Sequence, residues 1–78
     1  MREKYVFKHN LPNGIINPVD GRFSRFNASH YFMGLVSHLM NNGYSIKHYL
    51  RNEKERPLRG TIRVEVDNFY YYIELLPQ

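Results

Sequence analysis

The sequence predicts an α+β fold: a two-layer sandwich in which one central helix packs on an antiparallel sheet, in the order β(β)αβββ. Three observations predict it. Only the segment between Asn27 and Gly43 carries apolar residues at helical spacing. After Gly43 the apolar period changes from 3.6 to 2. Turn-forming residues then divide the remainder into three strand-length pieces. One apolar sheet face can cover one apolar helix stripe, and this gives the two layers.

Residues 3–9 alternate as a strand does. Tyr5 and Phe7 share a face with Glu3 and His9, while Lys4, Val6 and Lys8 share the other. Residues 10–21 are dense in breakers: Asn10, Pro12, Asn13-Gly14, Asn17-Pro18 and Asp20-Gly21. They read as an irregular loop or a poorly formed hairpin. Residues 22–26, Arg-Phe-Ser-Arg-Phe, read as a short second strand. Asn27 is the expected N-cap of the helix. Ala28, Phe32, Leu35, Val36, Leu39 and Met40 form its apolar stripe. Asn41-Asn42-Gly43 ends it, with Gly43 suited to a left-handed C′ position.

In 44–51, Tyr44, Ile46, His48 and Leu50 are expected to face inward, with Ser45, Lys47, Tyr49 and Arg51 outward. Residues 52–60 are charged, contain Pro57 and Gly60, and read as a mobile loop. In 61–67, Ile62, Val64 and Val66 alternate with Thr61, Arg63, Glu65 and Asp67. Asp67-Asn68 is the expected two-residue turn. It leads into 69–76, where Phe69, Tyr71, Ile73 and Leu75 face inward and Tyr70, Tyr72 and Glu74 outward. The N-terminal strand belongs beside this meander, at an edge the sequence does not specify.

A chain of 78 residues suits one domain, 1–78, with a thin core. There is no cysteine, so disulfides and cysteine-based zinc sites are excluded. Seven Tyr and five Phe offer aromatic packing instead. Met1-Arg2-Glu3-Lys4-Tyr5 lacks the apolar run of a secretory leader, and no stretch is apolar enough to span a membrane. A cytoplasmic protein with no membrane partner is the expectation.

The formal net charge is +4. Residues 1–27 and 44–60 each carry five Lys/Arg against two acids, whereas 61–78 carries one Arg against three. Arg51, Lys54, Arg56 and Arg59 form the densest basic cluster. Such a cluster suits a nucleic-acid backbone or an acidic protein surface, and its plain alternative is a solvated loop balanced by Glu53 and Glu55.

A turn at 67–68 would set Arg63 opposite Tyr72 and Glu65 opposite Tyr70. Pairing of 44–51 with 61–67 would add Lys47, Tyr49 and Arg51 to that face. Aromatics among cations are what single-strand binding needs. Tyrosine is also a good strand former, and Glu65 and Glu74 would repel phosphate. Such a face equally suits a protein partner.

From Phe26 to Ile46 there is no Asp, Glu, Lys or Arg, so the expected helix is uncharged. Its outer side offers Ser29, His30, Met33, Gly34, Ser37 and Asn41. Ser29, His30, Met33, Ser37 and Asn41 are therefore candidate interface residues, for a protein partner or for self-association. His9, His30, His38 and His48 lack metal spacing, and no metal or other cofactor is expected.

No nucleophile elbow, Walker loop, dinucleotide fingerprint or His-Glu-x-x-His is present. The leading expectation is a small non-enzymatic protein-binding module. Its finer form is a phage or mobile-element inhibitor or adaptor acting on a host nucleic-acid-processing complex, akin to anti-CRISPR proteins in size and composition alone. The alternative is a single-stranded nucleic-acid binder using Tyr49, Tyr70 and Tyr72. A further alternative is a small ribonuclease toxin depending on Arg63 or His48. Leu39-Met40-Asn41-Asn42-Gly43-Tyr44 resembles the helix-to-strand junction of HicA-type toxins. That resemblance implies a helix followed by a three-stranded sheet. The family's Gly-Ser-His motif is absent, since the comparable strand reads Ser45-Ile46-Lys47-His48-Tyr49, and no catalytic residue carries over.

Overall fold

The computed structural model describes residues 3–78. It contains β1 (Tyr5–His9), α1 (Arg25–Asn41), β2 (Ser45–Arg51), β3 (Arg59–Val66) and β4 (Phe69–Pro77). The strands form one antiparallel sheet in the order β1-β4-β3-β2, and α1 packs on one face of it. This is the expected α+β sandwich. The N-terminal strand takes its place against β4, leaving β1 and β2 at the edges.

The core is where the two periodicities meet. Ala28, Phe32, Leu35, Val36 and Leu39 are the buried residues of α1. They face Tyr5, Phe7, Ile62, Val64, Ile73 and Leu75 from the sheet, with Leu58 sealing one end. Phe7, Phe23 and Tyr31 cluster at 5.1–5.3 Å between ring centroids. Asp67 and Asn68 both adopt positive φ, as a type I′ hairpin turn requires.

Several expectations are corrected. Residues 22–26 form no second strand: Phe23 makes one isolated bridge with Tyr5, and the helix starts at Arg25. The N-cap is Ser24, not Asn27; its extended backbone and its Oγ, 3.2 Å from the N–H of Asn27, begin the helix one turn earlier. One cation, Arg25, therefore belongs to the helix. Met40 leaves the apolar stripe and is 58% exposed, because the stripe has rotated past the sheet by the last turn. The helix end is as expected. Tyr44 N–H donates to Leu39 O and Gly43 N–H to Met40 O, a Schellman motif with Gly43 at φ +83°. Phe69, beside the hairpin turn, is exposed rather than inward. His48 lies on the helix side, 6.5 Å from the Phe32 ring, yet β2 is an edge strand and the imidazole stays exposed.

The two long connections are both anchored. Leu11, Ile15 and Ile16 pack against the core, Pro18 is buried, and Val19 N–H donates to the Tyr31 hydroxyl at 2.8 Å. Of residues 52–60, expected to form a mobile loop, Arg59 and Gly60 belong to β3, and 52–58 are held from the helix. The Arg25 guanidinium donates to Arg56 O at 2.6 Å, Glu53 O at 2.7 Å and Asn52 Oδ1 at 3.1 Å. Leu58 is fully buried, and its N–H donates to the Tyr5 hydroxyl at 3.1 Å.

Candidate binding surface

The sheet has two unlike faces. Its inner face is covered by α1, while its outer face carries no described element. Strand alternation sorts the side chains, and the register arranges them in rows. At one end Arg51 stands opposite Arg59, and Leu76 opposite Val6. The next row runs Tyr49, Thr61, Glu74, Lys8. The third runs Lys47, Arg63, Tyr72, and the fourth Ser45, Glu65, Tyr70. Tyr49, Tyr70 and Tyr72 are 63, 51 and 43% exposed.

Lys47, Tyr49, Arg51, Arg59, Arg63, Tyr70 and Tyr72 are thus brought onto one surface. The two expected pairings, Arg63 with Tyr72 and Glu65 with Tyr70, are present. The Arg63 guanidinium, however, sits over the diagonal ring, 4.5 Å from the Tyr70 centroid. A cation there is attracted by the ring's negative face and covers one side of it.

Two cross-strand pairs join like charges. Lys47 stands opposite Arg63, and Arg51 opposite Arg59. Directly opposed like charges destabilise a sheet. Arg51 is partly relieved by donating to Pro57 O at 3.0 Å, while its shielded Nε has no acceptor among the described residues. Tyr49 lies between the two cationic rows. Acidic groups, Glu65 and Glu74, lie on the β3–β4 half.

Lys54 and Arg56 lie outside the strand rows, between β2 and β3. They lie on the connection that Arg25 binds from α1 and Arg51 binds from the outer face, and Arg56 pairs with Glu53 at 3.5 Å. Lys8 and Thr61 do join it, and were not singled out in the sequence. Lys8 alternates correctly with Phe7, but only the placement of β1 beside β4 brings it here.

The uncharged helix side forms a second feature. Ser29, His30, Met33 and Ser37 line an open groove of about 510 Å³ with Gly34, Leu50 and Asn52. Asn41, in the last helical turn, lies outside it. The groove therefore runs between α1 and the free edge of the sheet at β2.

His48 and Arg63, the residues on which a ribonuclease reading rests, occupy opposite faces of the sheet. His48 is in register with inward Ile62, and Arg63 with outward Lys47. Among the described residues, no three His, Asp or Glu side chains converge as a metal site. No helix of the described chain is long and apolar enough to cross a membrane.

No family model matches this chain, and neither the curated proteins nor the solved structures contain a match to it.

Proposed function

We propose that this protein is a non-enzymatic binding module whose open sheet face recognises an acidic surface on a protein partner. The observation that carries this reading is the pairing of cation with cation. Lys47–Arg63 and Arg51–Arg59 flank the exposed Tyr49 on a face that no described element covers. A sheet that served only its own fold would gain by opposing each of these cations to an acid. Two such pairs around an aromatic anchor suit carboxylates arriving from outside, and Tyr and Arg are the side chains that dominate such contacts.

A protein is favoured over a nucleic-acid strand for two reasons. The Tyr70 ring already carries Arg63 on one side. Glu74 and Glu65 occupy the β3–β4 half, where a phosphate backbone would be repelled. The finer form of the proposal is an inhibitor or adaptor acting on a nucleic-acid-processing complex, and its support is the size, charge and composition of the chain.

Tagged protein is incubated with cell lysate, with nuclease-treated and untreated halves compared by mass spectrometry. A discrete protein that survives nuclease, and is lost on Lys47→Glu with Arg63→Glu, supports the proposal. Recovery that vanishes with nuclease overturns it. The exposed Tyr49 and Tyr72 rings would then support the second reading, direct binding of single strands, with an affinity that falls steeply as salt rises.

A further inference from the structure

We infer that the free edge of β2 pairs with the β2 of a second copy of this chain, antiparallel and centred on His48. The sheet has two edges, and they differ. At β1, Tyr5 exchanges two backbone hydrogen bonds of 2.9 Å with Phe23, so that edge is closed in part by the chain itself. At β2, no described backbone or side-chain group bonds to the outer edge of Ser45–Arg51. Seven residues without Pro present a ladder of unused donors and acceptors, which is a template for another strand.

The side chains decide which strand. Centring on His48 sets Ile46 opposite Leu50 of the second copy, and Lys47 opposite its Tyr49. Arg51 then meets Ser45, and His48 meets His48. On the helix side this is an aliphatic pair repeated by symmetry, with two imidazoles between. On the outer side it is a cation against an aromatic ring, also repeated. No two formal charges of one sign face each other. Shifting by one step in either direction loses this. Centring on Lys47 opposes Lys47 to itself, and centring on Tyr49 opposes Lys47 to Arg51. Side-chain alternation forbids the intermediate registers. Among registers that pair at least five of the seven strand residues, charge therefore selects the one centred on His48.

A second observation falls into place with it. A two-fold axis perpendicular to the sheet puts both helices on the same side. The uncharged groove lined by Ser29, His30, Met33 and Ser37 borders this same edge, with Leu50 in its floor. Pairing at β2 brings the two grooves towards each other across the axis. The face that lacks charge is the one that a second copy would cover, as isologous contacts require. The product is an eight-stranded sheet whose outer face is continuous and displays both copies of Lys47 and Tyr49.

The test reads association against the sign of one residue. Sedimentation velocity over a concentration series gives the dimer constant of the wild type, Tyr49→Lys and Tyr49→Glu. Tyr49 is exposed and at an edge, so circular dichroism and thermal melting are expected to show an intact fold in each. Tyr49→Lys sets a cation opposite Lys47 twice per dimer and weakens association about tenfold. Tyr49→Glu sets a carboxylate there twice and strengthens it by a similar factor. In parallel, His48→Cys is oxidised: the new thiols meet at the axis and the dimer becomes covalent. Ile46→Cys, whose symmetry mates lie about 13 Å apart along the strands, does not cross-link. A wild type that stays monomeric at its highest soluble concentration overturns the inference. So does equal weakening by Tyr49→Lys and Tyr49→Glu, or cross-linking at Ile46→Cys as fast as at His48→Cys.

Discussion

The ring of Phe32 rests on the bare backbone of Gly60. A β-carbon at Gly60 would lie 2.7 Å from Phe32 Cε2 and 3.0 Å from Leu50 Cδ1. Phe32 is fully buried and has no room to withdraw. The Phe32 ring of the helix thus lies close against β3 at the point where β3 has no side chain. Gly60→Ala is expected to destabilise the domain by about 1–3 kcal/mol through overpacking. Chemical denaturation checks it: the midpoint falls while the slope with denaturant is unchanged. Adding Phe32→Leu to Gly60→Ala should recover part of the loss, because the contact is shared.

Tyr5 provides the second link between layers. It is fully buried in β1, and its hydroxyl accepts the N–H of Leu58 at 3.1 Å. The hydroxyl also donates to Glu3 and lies 3.5 Å from the Arg25 guanidinium. Tyr5→Phe leaves the Leu58 N–H buried without its acceptor. The expected cost is about 1–3 kcal/mol. Amide hydrogen exchange localises it: residues 52–58 should lose protection before the strands do.

The helix start separates two caps that the sequence alone ranks almost equally. Ser24 and Asn27 are both good N-cap residues. The structure uses Ser24, and its Oγ accepts from Asn27 N–H. Ser24→Ala is expected to cost about 1 kcal/mol, whereas Asn27→Ala, at an exposed position inside the first turn, should cost little or slightly stabilise. Thermal unfolding of the two variants decides between the caps; an Asn27→Ala loss as large as that of Ser24→Ala would restore the cap read from the sequence.

These contacts show which features were legible beforehand. The helix from Ala28 to Leu39, the Schellman ending at Gly43 and the Asp67-Asn68 turn depend on residues close in sequence. Their patterns carry the information directly. So does the sorting of Lys47, Tyr49, Arg63, Tyr70 and Tyr72 to one face, since strand alternation needs no knowledge of the fold. The early start of the helix was hidden because a cation, Arg25, and the 70% exposed Phe26 break the apolar period. The anchoring of 52–58 was hidden for a different reason. Its grip comes from Arg25 and Tyr5, whose partners are 27 to 53 residues distant, and charged loop composition says nothing of them. His48 was read as inward from its register alone. Its exposure depends on β2 being an edge, which is a property of strand order.

The cation pairs make a last prediction, in which stability and binding move in opposite directions. Arg51 and Arg59 face each other across β2 and β3 at an open surface. Arg59→Glu converts repulsion into attraction. The isolated domain should gain a few tenths of a kcal/mol, with solvent limiting the effect. Raising salt should shrink the difference between wild type and variant, because both terms are screened. The same change removes one cation and adds an acid on the face proposed to meet carboxylates, so recovery of the partner should fall. A domain made more stable and less able to bind is the outcome expected where charges are placed for a partner rather than for the fold. Were Arg59→Glu to destabilise the domain, the Arg51–Arg59 pair would be part of the fold's own support, and the main argument for an acidic partner would be lost.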